Sequence, residues 1–267
     1  MTLKEDVRTF WERASCGETL YLTEISIEGF RRQMEIRYKL EPYIIDFASF
    51  DAWTAKKVLE IGVGLGADHQ RFAEGGADLY GIDLTDRAVK FAKERLDLFG
   101  LRSHIEVGDA EDLGFADSTF DLVYSWGVIH HSPNTKQAAD EIMRVLRPGG
   151  QFKVMLYHKF SFVGYMLWIR YALLRLKPSM SLSKIYSNYL ESPGTKAYTT
   201  SDAMMLFDSA SRISCRTVLT HGDLLTSDAG QRHRGFMLTA AKLFWPRSLI
   251  QRFFPNHGLF MLIEGEK

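Results

Sequence analysis

The chain has 267 residues, 46% of them apolar and 25% charged, which excludes a disordered, collagen-like or coiled-coil protein and leaves enough length for a substantial core. Thirty-three basic side chains balance thirty-three acidic ones, so no net field draws the chain to nucleic acid or an anionic membrane, although a local patch could still do so, and no nucleic-acid partner is expected. Two distant cysteines, Cys16 and Cys215, make neither a disulfide framework nor a zinc site; that usage suits a reducing compartment, and no metal is expected.

The N-terminal twenty residues are charged throughout and lack the apolar run of a signal peptide. Residues 1–52 show two amphipathic helical stretches, the second with apolar and basic side chains from Phe30-Arg31-Arg32 to Arg37-Tyr38. Carrying Trp11 and Tyr21 as well, they read as an N-terminal lid.

From 53 to 158 short apolar runs alternate with helical patterns. Strands are predicted at Lys57–Ile61, Asp78–Ile82, His104–Val107, Phe120–Ser125 and Gln151–Tyr157. Thr85 or Asp86 can cap a helix over Arg87–Phe99, and Asn134 or Thr135 one that runs to about Leu146 before Pro148-Gly149-Gly150. Such alternation predicts a parallel sheet with helices on both faces. Residues 159–199 read as a helical insert, with an amphipathic helix over Ser161–Leu176. Arg170 interrupts it and Arg175 and Lys177 close it, so it is too short and too charged to span a bilayer. Its aromatic residues, Tyr165 and Trp168 among them, suit internal packing, a wall of an apolar acceptor pocket, or peripheral contact with a membrane. Residues 200–267 complete the fold with a helix over Ser201–Phe207 and strands at Ile213–Thr220 and Gly258–Ile263. The long gap between those strands predicts a further helical element. Arg232-His233-Arg234, within that gap, reads as a solvated face or as a contact for an anionic group. The whole is expected to be one domain of a soluble, cytoplasmic protein.

The first strand runs into Glu60-Ile-Gly62-Val-Gly64-Leu-Gly66-Ala67, where glycines allow a sharp turn and a close approach to a ligand. Asp83 ends the second strand, where a carboxylate can accept both hydroxyls of a ribose. Gly62, Gly64 and Ala67 also fit a dinucleotide-binding pattern, so the loop alone leaves NAD and other adenosine cofactors open. The third strand ends in Gly108-Asp109-Ala110, where an acid and the next amide can read an adenine edge.

With these residues in place, the segments VLEIGVGLG, GIDLT, GDAEDLGFADSTFDLVYSWGVIHH and LRPGGQFKV resemble, in order and spacing, class I S-adenosylmethionine-dependent methyltransferases of the type 11 kind. The resemblance implies a Rossmann-like, seven-stranded, mostly parallel sheet with S-adenosyl-L-methionine as cofactor. It places Glu60, Gly62, Gly64 and Gly66 around the methionine, Asp83 on the ribose and Leu84 against adenine. Asp109 and Ala110 would read the adenine edge, and Ser125, Trp126 and Gly127 would line the floor beside the sulfonium. The Asn/Asp-Pro-Pro-Tyr type motif of amino- and base-methylating relatives is absent, which weakens a nucleic-acid base as acceptor. His130 and His131 stand at the mouth of the site as candidate general bases, with Tyr157 and His158 behind them in order of preference. The acceptor is expected to be small and lipophilic, or lipid- or sugar-linked, offering a hydroxyl, a carboxylate or an activated carbon. Two alternatives stand beside this: an NAD-dependent oxidoreductase, which leaves Asp109-Ala110 unexplained, and a cofactor-binding scaffold without catalysis.

Overall fold

In the computed structural model, which describes residues 2–226 and 245–267, the chain opens with four helices. They are α1 (Leu3–Arg13), α2 (Glu18–Tyr21), α3 (Ile27–Leu40) and α4 (Tyr43–Ala48). Then comes β1 (Lys57–Ile61), whose Val58 packs to one side of the sheet and Leu59 and Ile61 to the other, all buried. A strand covered on both faces must be apolar at successive positions, and this is why it reads as a continuous run. β2 (Asp78–Asp83), β3 (His104–Val107), β4 (Phe120–Trp126) and β5 (Leu146–Tyr157) join it in parallel.

β6 (Arg212–Val218) and β7 (Phe260–Glu266) complete a seven-stranded sheet of order β3-β2-β1-β4-β5-β7-β6, with β7 antiparallel to both neighbours. The expected sheet is thus present. β5 starts five residues earlier than the sequence suggested. Its Pro148-Gly149-Gly150 run stays in the strand as an irregularity, where pairing with β4 jumps from Leu146 to Gln151.

The crossover helices are α5 (Ala67–Glu74), α6 (Asp86–Leu98) and α7 (Thr135–Val145), the last two capped by Thr85 and Asn134. The helix expected over 161–176 is shorter. α8 (Phe162–Tyr171) stops at Ala172, and a single 3-10 turn, Leu173–Arg175, follows. The Ala172 carbonyl accepts the amides of Arg175 and Lys177, and Pro178 disfavours helical backbone at the residue before it. α9 (Leu182–Tyr189), α10 (Thr200–Met205), α11 (His221–Leu224) and α12 (Arg247–Phe253) follow, the last two supplying the helical element expected between the final strands. Arg232-His233-Arg234 lies outside the described residues. Among the described residues no helix is long and apolar enough to cross a membrane.

One fully buried cation ties the N-terminal helices to the sheet. Arg95 of α6 donates to Gln70 Oε1 (2.7 Å), Gln33 Oε1 (2.8 Å) and the carbonyls of Leu65 (3.0 Å) and Phe30 (3.2 Å), and its guanidinium lies 5.0 Å from the Phe30 ring centre. Burial draws its pKa down to about 10, so it is still charged at neutral pH. α3, the glycine loop and α6 therefore share one donor set. Arg95→Ala should strand four buried acceptors at once and lower the unfolding free energy by about 3 kcal/mol or more. Urea denaturation checks this; a loss below about 1 kcal/mol would show that water replaces the guanidinium without penalty.

Candidate functional site

The carboxyl ends of β1, β2, β3 and β4 open into a cleft that encloses about 1360 Å³, its mouth included. Gly62 has φ +83°, and a Cβ there would sit 2.1 Å from Val128 Cγ2, so only glycine lets the loop rest on Val128. Gly64, at φ +51°, faces open space, with nothing within 4 Å of where its Cβ would be. Its amide donates to Asp83 Oδ2 (3.1 Å), while Thr85 donates to Oδ1 through its amide (3.0 Å) and hydroxyl (2.8 Å). The carboxylate is held in one orientation beside the loop. Burial raises its pKa, against the bonds from Gly64 and Thr85.

On the floor, Glu60 Oε2 meets His69 Nδ1 at 2.8 Å. Burial and the nearby Asp68 raise the Glu60 carboxyl well above its usual range, and burial drops His69 to about 3. Arg37 grips Asp68 with two bonds, Nε to Oδ1 (3.0 Å) and Nη2 to Oδ2 (2.7 Å). Glu41 lines the same wall, 3.4 Å from Arg37 Nη1, and its Oε2 has no hydrogen-bond partner among the described residues. Burial lifts this carboxyl to about 7, with Arg37 opposing and Asp68 adding. At the far end of the floor, α1 lies over Asp109: Lys4 Nζ reaches Asp109 Oδ2 (2.5 Å) and Glu111 Oε2 (2.7 Å).

The opposite end is built around His131. Its Nδ1 is met by Ser192 Oγ (2.8 Å) and Thr195 Oγ1 (3.1 Å), which leaves Nε2 toward Glu191 Oε2 at 3.4 Å. Tyr157 donates its hydroxyl to the same Glu191 oxygen (2.7 Å), and Trp11 of α1 packs edge-on against His131, ring centres 5.3 Å apart. His130, His131 and Glu191 bring ligand-type atoms within 4.8 Å of one another, a spacing a metal ion could use. His131 and Glu191, however, already have hydrogen-bonding partners that hold them as an imidazole–carboxylate pair.

Of the residues singled out from the sequence, Glu60, Gly62, Gly64, Gly66, Asp83, Leu84, Asp109, Ala110, Trp126, Gly127 and His131 line this one cleft. Ser125 and His130 do not reach it; both are fully buried. Ser125 alternates with Trp126 along β4 and faces the other side of the sheet. His130 turns its ring onto Tyr157, centres 4.0 Å apart. His158 bonds the Gly258 carbonyl through Nδ1. Tyr165 and Trp168 are not on the cleft either: the Tyr165 hydroxyl meets His257 and the Trp168 indole donates to the Met180 carbonyl. The insert instead contributes Glu191, which, like Lys4, Glu41 and Asp68, carried no signal in the sequence. An isolated acidic or basic residue has no local pattern to betray it.

Among the described residues neither ring nitrogen of His130 has a hydrogen-bond partner, and burial, with His131 and Lys196 nearby, holds its pKa well below the usual 6.5. The folded ring stays neutral while the unfolded chain protonates near pH 6.5. Below that pH the unfolded state binds the extra proton, so stability falls as pH drops. The thermal midpoint should fall between pH 7 and pH 5, and His130→Phe should recover part of the loss. An unchanged slope in that variant would place the acid sensitivity elsewhere.

A family model described as a methyltransferase domain matches residues 59–154. A probable phthiotriol/phenolphthiotriol dimycocerosates methyltransferase 2 of Mycobacterium ulcerans is 40% identical over 101 residues, 37% of this chain and 38% of that one. A fatty-acid O-methyltransferase of Mycolicibacterium smegmatis is 36% identical over 118 residues, 43% of this chain and 42% of that one. The matched stretch therefore spans less than half the length of these relatives. Among solved structures, a phosphoethanolamine N-methyltransferase 2 of Haemonchus contortus, in complex with phosphomonomethylethanolamine and S-adenosylhomocysteine, aligns over 98% of this chain and 60% of that one (TM-score 0.57, 16% identity). The [4+2]-cyclase SpnF aligns over 89% of this chain and 81% of that one (TM-score 0.55, 14% identity). At such identities the likeness is one of fold. The match over residues 59–154, the seven-stranded sheet, and the glycine loop, Asp83 and Asp109 on one cleft favour the methyltransferase resemblance over the oxidoreductase alternative: residues 59–154 are similar to a methyltransferase domain.

Proposed function

We propose that this chain transfers the methyl group of S-adenosylmethionine to a hydroxyl of a lipophilic acceptor. Bound in the cleft, that cofactor supplies a methyl group already activated by a positive sulfur. The residues present suit it. Gly64 leaves open space at the loop, and two polar atoms on the cleft wall, Glu41 Oε2 and Ser15 Oγ, lack partners among the described residues. Asp83 takes three bonds from Gly64 and Thr85, which leaves one lone pair on Oδ2 to accept a ribose hydroxyl. Asp109 accepts from the adenine amino group. Glu41 and Glu60 suit the methionine ammonium, and Arg37 Nη1, whose contact with Glu41 is loose, suits its carboxylate.

The observation that carries the acceptor reading is the pair of His131 and Glu191 on the same cleft as Asp83. If Nδ1–H donates to Ser192, the Nε2 lone pair lies at the cleft wall 3.4 Å from Glu191 Oε2, and Glu191 stabilises the imidazolium that forms when a hydroxyl proton arrives. Met155, Trp126 and Phe260 make the adjoining wall apolar. Lipid names among the relatives, including a sterol 4-C-methyltransferase of Caenorhabditis elegans, support a lipophilic acceptor. A cytoplasmic setting fits the cysteine usage and belongs to the same reading.

Two measurements test it. Asp83→Ala should weaken S-adenosylmethionine binding in calorimetry by about 1.5–3 kcal/mol, roughly ten- to a hundredfold; unchanged affinity at an unchanged melting temperature would displace the ribose site. With labelled cofactor and a panel of hydroxylated lipids, His131→Ala should cut kcat by about 10²–10⁴-fold and leave cofactor affinity intact. Full turnover in that variant would point to a carboxylate acceptor, which needs no base.

A further inference from the structure

A second surface stands away from the cleft. Residues 159–190 carry five cations, Lys159, Arg170, Arg175, Lys177 and Lys184, and no acid; residues 245–257 carry Arg247 and Arg252 and again no acid. In a chain with thirty-three charges of each sign, that is a strong local imbalance. Apolar side chains emerge between these cations. Ile169, Leu173 and Leu174 are exposed along the arm made by α8 and its 3-10 turn, and Leu176 at the tip is 91% exposed. Leu176 also has φ +57°, a left-handed conformation that a leucine adopts only at a cost. That conformation caps the 3-10 turn and leaves the leucine in solvent between Arg175 and Lys177.

α12 is a neighbour of this arm: Phe254 lies 6.0 Å from the Phe162 ring, and the Tyr165 hydroxyl bonds His257 at 2.9 Å. α12 exposes Leu249 and Phe253 beside Arg252. The arm is also rooted at the acceptor end of the cleft, since Tyr157 ends β5 just before it and Glu191 follows α9 just after it.

We infer that the α8 arm, flanked by α12, docks on an anionic phospholipid surface. The local excess of positive charge selects the partner. Lysine and arginine keep their heads at the phosphate level while leucine and phenylalanine enter the acyl boundary, the arrangement of an interfacial helix rather than a spanning one. A protein surface able to match Arg170, Arg175, Lys177 and Lys184 would need a dense acidic patch and would gain nothing from a leucine tip with neighbouring cations on both sides. Docking in this orientation would bring the acceptor end of the cleft near the lipid, but the inference concerns binding and stands without turnover.

Vesicle co-sedimentation of the full chain decides it. The chain should pellet with phosphatidylcholine vesicles containing phosphatidylglycerol, much less with phosphatidylcholine alone, and less again at raised salt. Leu174→Ser/Leu176→Ser should lower the partition coefficient by about tenfold or more, with melting temperature and S-adenosylmethionine affinity unchanged. Arg175→Glu/Lys177→Glu should abolish the preference for anionic vesicles. Equal or absent binding to both vesicle types, or parental binding by both double variants, would overturn the inference. A dimer in sedimentation velocity that the leucine variant dissolves would assign the face to a second copy of the chain instead.

Discussion

The carboxylate of Asp68 holds the cleft together. It is almost fully buried and accepts from Arg37 twice, from the Tyr38 hydroxyl (3.0 Å) and from the Tyr124 hydroxyl (2.9 Å). Four donors fill what a carboxylate can accept. Burial alone would raise its pKa, yet Arg37 and the two hydroxyls bring it below the usual value, so it stays charged. Because those donors come from α3 and β4, one anion at the start of α5 fixes the N-terminal helices against the sheet. Removing the Arg37 guanidinium would leave a buried charge without its counter-ion, which is far costlier than the pair is worth.

The other N-terminal contacts are of a different kind. Lys4 with Asp109 and Glu111, Arg8 with Asp86, and Arg87 with Glu18 are partly exposed ion pairs, each worth little in water. α3 is bound by buried polar chemistry; α1 is fastened by ion pairs that salt can screen, together with the buried Val7 and the packing of Trp11 on His131. The two helices roof the same cleft with unequal firmness. That inequality suits a site in which a cofactor must come and go while the loop beneath keeps its shape.

Most residues at the Gly62–Gly66 end of the cleft were legible in the sequence because they lie in contiguous motifs: a glycine turn with positive φ angles, and an acid at each of two strand ends. The sequence disclosed little of the His131 end. Glu191 meets His131 and Tyr157 across sixty and thirty-four positions of chain, and no periodicity links them. The aromatic run of the insert misled for a related reason. Tyr165 and Trp168 have the side chains of a greasy pocket, but their polar tips found His257 and the Met180 carbonyl. Composition can say that an aromatic residue will be covered; only the fold says by what. The same holds for Ser125, whose place one residue before Trp126 put it on the opposite side of the strand.

The position of β7 bears on how the chain comes into being. Among the described residues β6 pairs with β7 alone, and β5 turns its far edge to β7, so β6 has no ladder and β5 has one on a single edge until residues 260–266 exist. While the ribosome is still making the segment between them, the β5 edge presents unpaired amides and carbonyls, flanked by Phe152, Val154 and Leu156. The parallel half of the sheet can form early from contacts close in sequence, but the apolar edge it exposes is a template for the wrong strand. The nascent chain is therefore most vulnerable just before synthesis reaches β7, and its refolding yield should be governed by how quickly that strand finds the gap.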